Sequence, residues 1–357
     1  MFIRKLSEFL VIRSNFHLSR VITTKLSTTQ RIMSRPKILV TRPDIPAIGF
    51  ELLGKECDLI VADHANEISQ SELLSKIRDV DGLYCLLSDK IDEQVLKAAG
   101  PNLKVVATMS VGVDHLDLKA MKERNILVGY TPGILTPATA ELTVALLLTT
   151  SRNLIHGHRA IFQNEWKAWG PTWMLGPGLL NSTVGIVGLG RIGAEIAEIL
   201  KGFKVSKILY TSRREKPEAA KFDGKLVNFD TLLKESDFVI VTIALTPDTK
   251  EMFNKEAFDK MKKTAVFINV SRGQVVHQPS LIEALKNKQI WGAGLDVTTP
   301  EPIGSDHELL KLDNCVVIPH LGSATFETRN NMATMTANNI LAALRGKPEE
   351  MPNRLIL

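Results

Sequence analysis

Late in this 357-residue chain, an arginine, a glutamate and a histidine each follow an apolar run. Arg272, in Ser271-Arg272-Gly273, comes after Ala265-Val266-Phe267-Ile268-Asn269-Val270. Glu301, in Pro300-Glu301-Pro302, comes after Gly294-Leu295-Asp296-Val297. His320, in Pro319-His320-Leu321-Gly322, comes after Val316-Val317-Ile318. Such runs read as buried strands of a parallel sheet, whose carboxyl ends share one side, where ligands bind. The trio is therefore expected in one crevice. An arginine grips a carboxylate through a planar fork. A histidine moves a proton near neutral pH, and an adjacent glutamate holds it charged. Together they suit reduction of a carbonyl beside a carboxylate, or its reverse. Taken singly, His320 reads equally well as a structural histidine, and Arg272 as a structural ion pair with Glu301. Three strand ends together favour a site.

The elements that must carry these loops alternate in type. From Lys37, strand patterns at Ile38–Thr41, Gly82–Leu86, Val105–Met109 and Ile126–Gly129 enclose helical patterns at Ser71–Ile77, Asp92–Ala99 and Leu118–Arg124. This alternation predicts an α/β fold with parallel sheets. A helix is expected over Thr136–Leu148, with Thr136 as its cap and Pro137 at its first position. Trp166–Gly178 reads as a loop. A second series follows, with strands expected at Val184–Val187, Ile208–Tyr210, Phe238–Thr242, Val266–Val270, Gly292–Val297 and Val316–Ile318. After His320, one long helical pattern, Thr325–Leu344, ends at Gly346 and Pro348. The length predicts two domains. A lone terminal helix is no domain, so it is expected to pack back on the first one. That gives two Rossmann-like or flavodoxin-like domains: 37–135 with 320–357 for substrate, and an inserted dinucleotide-binding domain over 136–319.

Gly188-Leu189-Gly190-Arg191-Ile192-Gly193 matches G-x-G-x-x-G, directly after an apolar strand pattern and opening a helical one. Gly188 is expected to make the tight turn, Gly190 to let pyrophosphate approach the backbone, and Gly193 to let helix pack on strand. Arg191 and Ile192 lie within the same turn. About 20 residues further on, an NAD site places an acid on the ribose hydroxyls. Here the chain reads Tyr210-Thr211-Ser212-Arg213-Arg214. The missing acid and the cations Arg213 and Arg214, beside Ser212, point to a 2′-phosphate. NADPH/NADP+ is the expected cofactor, with NADH weaker; two solvated surface arginines are the plainer alternative.

Composition narrows the class. Hydrophobic residues make up 44% and charged residues 23%, as in ordinary globular proteins. No apolar run approaches the roughly 18 residues of a membrane helix. The net charge of +5 sits in the leader: residues 1–36 hold seven cations against Glu8, so the other 321 residues carry −1. Nucleic-acid binding is therefore not expected. The leader is basic, Ser/Thr-rich and acid-poor, like a mitochondrial transit peptide, while Met33 offers a cytosolic start. The cysteines Cys57, Cys85 and Cys315 lack metal-ligand spacing, as do His156 and His158, so no metal is expected.

Taken together, Gly188–Gly193, Asn269-Val270-Ser271-Arg272-Gly273, Gly294-Leu295-Asp296-Val297, Pro300-Glu301-Pro302 and Pro319-His320-Leu321-Gly322-Ser323-Ala324-Thr325 carry a resemblance. From about Lys37 to its end the chain resembles the D-isomer-specific 2-hydroxyacid dehydrogenases. Leu86-Leu87-Ser88-Asp89, the Met109–Leu116 segment and Val128–Gly133 narrow it to the branch that reduces glyoxylate and hydroxypyruvate. The resemblance implies His320 as general acid, Glu301 as its orienting partner and Arg272 as the substrate's carboxylate ligand. It further implies backbone N–H groups of Val111 and Gly112 on that carboxylate, with Gly322 beside the substrate. Ala244, Val270 and Asp296 would line the cofactor site. Trp169 would reach the substrate site of a second subunit, or simply fill a homodimer interface around 140–175. Asp114 and His115 are read as capping and packing. Two other readings stay open: a 3-phosphoglycerate dehydrogenase-type enzyme, and a nucleotide-sensing corepressor scaffold of the same fold. Against the first stand the missing NAD-type acid and the chain's end soon after its last helix.

Overall fold

The structure is a computed structural model that describes residues 35–63 and 67–357. The expected transit peptide or internal start at Met33 lies outside the described residues. Two parallel sheets organise the chain. The first is built from β1 (Lys37–Val40), β2 (Asp58–Val61), β3 (Gly82–Cys85), β4 (Val105–Thr108) and β5 (Leu127–Gly129), ordered 5-4-3-1-2. The second contains β6 (Thr183–Val187), β7 (Lys207–Thr211), β8 (Lys225–Leu226), β9 (Phe238–Val241), β10 (Val266–Asn269), β11 (Gly292–Leu295) and β12 (Cys315–Val317). Its order is 12-11-10-9-6-7-8, the doubly wound arrangement that changes direction between β6 and β9. A last strand, β13 (Arg354–Leu355), runs antiparallel to β5.

Central strands such as β3, β4, β9, β10 and β11 are buried at every residue, which is why they read as largely apolar runs. Val144 and Leu147 of the helix Thr136–Ser151 share a core with Ile196 and Leu200 of the helix Arg191–Lys201, over Ile186, Ile240 and Ile268. The opposite face is filled by Phe253, Phe258, Leu281 and Leu285 over Val239 and Phe267. The terminal helix, Phe326–Leu344, lays Met332, Ala333, Ala337 and Ile340 on Ile38, Tyr84, Val105 and Ala107 of the first sheet. Thr325 caps it, its side chain accepting from the N–H of Thr328.

Some elements depart from the sequence reading. Thr136 is not a cap: Leu135 holds that position with no side-chain hydrogen bond, and Thr136 is buried in the first turn. The preceding turn supplies the reason, because Gly133 adopts φ +86° and its carbonyl already accepts the Thr136 N–H. The helix Ala47–Gly54 and strand β2 went unread; the helix has no side-chain cap, and β2 is a half-exposed edge. The stretch holding His156 and His158 is helical, Leu154–Phe162, and exposes Leu154, Ile161 and Phe162.

Candidate active site

Arg272, Glu301 and His320 hang from β10, β11 and β12, three neighbours in one sheet. Their loops leave the same edge, so residues far apart in sequence meet. Nδ1 of His320 stands 2.5 Å from Oε1 of Glu301. Nδ1 is thereby taken, and His320 lines a cavity of about 610 Å³. That cavity lies between the two sheets, and its wall includes Val111, Gly112, Ile192, Ala244, Val270, Arg272, Asp296 and Gly322.

The histidine is held in an uncommon backbone conformation. His320 has φ +51°, the left-handed region that non-glycine residues seldom adopt. Asp296 fixes it there. Its carbonyl accepts the His320 N–H at 3.0 Å, and its carboxylate accepts the N–H groups of Leu321 and Gly322 at 2.6 and 2.9 Å. Asp296 is 2% exposed. Burial pushes its carboxyl above the ordinary value, while the two N–H groups and the nearby His320 pull it back. Asp296 therefore both lines the cavity and shapes the loop of His320.

Arg272 is aimed by a similar device. Asn269, fully buried at the end of β10, donates from Nδ2 to the Arg272 carbonyl at 2.9 Å. Its Oδ1 accepts from the N–H and hydroxyl of Ser271. The guanidinium reaches across the cleft. Its Nε donates to both carboxylate oxygens of Asp114, at 3.0 and 3.2 Å. Asp114 is thus a cleft residue and not a cap, a correction to the sequence reading; adjacency to His115 concealed a partner 158 residues away. His115 packs inward. A hydrogen-bonded chain runs from its Nε2 to Thr108, on to Ser110, and from the Ser110 hydroxyl to the Gly112 carbonyl. Burial pushes the imidazole pKa down to about 4. Among the described residues, the N–H groups of Val111 and Gly112 have no protein acceptor. Arg329, on the terminal helix, also lines the cavity; burial lowers its guanidinium pKa. Asn269 and Arg329 were not singled out in the sequence, where one reads as a strand residue and the other as a helical one.

The glycine-rich turn fits a dinucleotide. Gly188 has φ +99°, which only glycine adopts without strain. A Cβ on Gly190 would meet nothing within 4 Å, so the backbone is open to a ligand there. Gly190 caps the helix Arg191–Lys201 without a side-chain bond, leaving its first N–H groups for an anion. Gly193 sits tightly against the Gly188 carbonyl, as close helix–strand packing demands. Ser212, Arg213 and Arg214 follow β7, the strand beside β6, and both arginines are exposed. Trp169 is outside the cavity wall and 83% exposed.

A doubly wound dinucleotide unit, a second α/β unit and an Arg–Glu–His trio facing the cleft between them define an oxidoreductase of the nicotinamide-dependent kind. The chain belongs to the D-isomer-specific 2-hydroxyacid dehydrogenase family. Residues 144–322 match the model of that family's NAD-binding domain. Glyoxylate reductase/hydroxypyruvate reductase of Mus musculus is 51% identical over 324 residues, 90% of this chain and 98% of that protein. The Homo sapiens protein of the same name matches to the same extent. Among solved structures, NADPH-dependent glyoxylate/hydroxypyruvate reductase from Sinorhizobium meliloti, in complex with NADP and malonate, superposes with a TM-score of 0.78 at 31% identity. The match covers 90% of this chain and 97% of that one.

Proposed function

We propose that this protein reduces small 2-oxo acids with NADPH, taking glyoxylate to glycolate and hydroxypyruvate to D-glycerate. The observation that carries the reading is the trio on β10, β11 and β12, with the free N–H groups of Val111 and Gly112 opposite. In this reading residues 37–135 with 320–357 bind substrate, and 136–319 bind the dinucleotide. Arg272 and the two N–H groups hold the substrate carboxylate. The same guanidinium polarises the adjacent carbonyl. His320, oriented through Nδ1 by Glu301, gives the proton on Nε2 to the carbonyl oxygen as it becomes a hydroxyl. Bound NADPH supplies the hydride. Val270, Ala244 and Ile192 line its side of the cleft, the helix beginning at Arg191 faces its phosphates, and Arg213 pairs with the 2′-phosphate. Closure of the two units excludes water.

Exposed Phe162, Trp166, Trp169 and Leu175 support a homodimer through the 140–175 region. Compartment is a separate proposal: the basic leader supports a mitochondrial form and Met33 a cytosolic one, to be tested with fluorescent fusions that start at residue 1 or 33. The activity itself is tested by steady-state kinetics on glyoxylate, hydroxypyruvate, pyruvate and phosphohydroxypyruvate, with NADPH and NADH in parallel. Preference for phosphohydroxypyruvate with NADH would favour the phosphoglycerate dehydrogenase reading. Absence of turnover on all four would overturn the assignment.

A further inference from the structure

We propose that Asp114 is the positioning residue for Arg272, and that their ion pair completes the substrate-carboxylate site only when the two units close on each other. The inference rests on the reading of Arg272 as carboxylate ligand. Three of the guanidinium's contacts are defined. Nε is held by both oxygens of Asp114, and Nη1 donates to the Ser271 carbonyl at 2.9 Å. Nη2 is directed at Gly112, where a Cβ would stand 1.7 Å away. The fork is thus pinned on one edge by the first unit and at its tip by its own backbone. Its remaining nitrogen, Nη2, lies beside Gly112, in the wall of the cavity that Val111 also lines.

An arginine side chain has several free torsions, and a ligand that must freeze them binds more weakly. Asp114 removes that freedom in advance. The pair is also poorly suited to a purely stabilising role, because the side chains keep 23% and 29% of their exposure and such pairs add little to folding. Asp114 follows β4 of the first sheet, and Arg272 follows β10 of the second. Opening the cleft separates them, so Arg272 is aimed only in the closed form.

The test uses the full-length chain carrying Asp114→Ala or Asp114→Asn, each alone and combined with Arg272→Lys. Steady-state glyoxylate kinetics with NADPH, NADPH binding by fluorescence and thermal melting are measured together. Asp114→Ala should raise KM for glyoxylate about tenfold to a hundredfold, the range expected for a charge-assisted hydrogen bond. NADPH affinity and melting temperature should stay put, with Asp114→Asn intermediate. In the Arg272→Lys background, the same change should add less than about twofold, because the two residues act as one unit. An unchanged KM, or an equal penalty in both backgrounds, overturns the proposal. A lowered KM overturns it too, and would make Asp114 an internal competitor for Arg272. If Arg272→Lys alone leaves kcat/KM intact, the reading of Arg272 itself fails.

Discussion

A methyl group on Gly112 would stand 1.7 Å from Nη2 of Arg272 and 2.8 Å from Oδ1 of Asp114. The two sheets therefore approach each other through a residue without a side chain. Gly112→Ala must displace the arginine tip, which is flexible, and not a piece of backbone. The fold should survive with a shift of only a few degrees in melting temperature. Misplacing a substrate ligand by about 1 Å costs on the order of 10²-fold in rate. We expect kcat/KM for glyoxylate to fall by about that factor, measured beside a melting curve; an unaltered kcat/KM would mean the observed closeness is irrelevant to turnover.

The short contact between His320 and Glu301 separates two roles. His320→Gln removes the proposed proton donor and should lower kcat by about 10² to 10⁴-fold, while NADPH binding persists. Glu301→Gln keeps a hydrogen-bonding group on Nδ1 but removes its charge. Its kcat should drop by less than that of His320→Gln. Single-turnover reduction followed by loss of NADPH absorbance compares the two, and equal full activity in both variants would remove the pair from the reaction.

Arg213 is exposed after β7 and, among the described residues, has no structural task in view. Arg213→Ala should leave folding and kcat with NADH unchanged. It should weaken NADPH by about 10 to 100-fold in KM, the worth of one charge-assisted bond to phosphate. The NADPH:NADH ratio of kcat/KM is the measurement, and a constant ratio would transfer the discrimination elsewhere.

His115 links pH to stability. Its folded pKa, about 4, lies below the ordinary value of 6.5, so the unfolded chain takes up a proton more readily. The stability it permits is full above about pH 6.5 and is lost progressively as pH falls toward 4. The span corresponds to roughly 3 kcal/mol. Urea melts between pH 4 and 7 should show this slope in the native protein and a flatter one in His115→Gln. Because the chain through Thr108 and Ser110 ends on the Gly112 carbonyl, acidification should raise the glyoxylate KM before the protein unfolds.

The exposed aromatic stretch predicts assembly. Light scattering should give about twice the 39.5 kDa chain mass. Replacing Phe162 and Trp166 by Ser should shift it toward monomer without loss of secondary structure by circular dichroism, and a monomeric native protein would rule the dimer out.

By itself, the sequence determined what depends on local pattern. Buried parallel strands are apolar along nearly their whole length, so β3, β4, β9, β10 and β11 announced themselves, and with them the loops of Arg272, Glu301 and His320. The turn Gly188–Gly193 was legible because its backbone demands glycine at fixed spacing. Elements without such a demand stayed hidden: β2, a half-exposed edge, and the helix Ala47–Gly54, which lacks a side-chain cap. Only the tertiary structure decided that Asp114 belongs to Arg272, that Asn269 sets the arginine's loop, and that Asp296 holds His320 in a left-handed turn. Of these, Asp114 and Arg272 pair across the cleft, and Asp296 and His320 follow different strands. Periodicity reports a residue's own strand or helix and carries no distance between one strand and another.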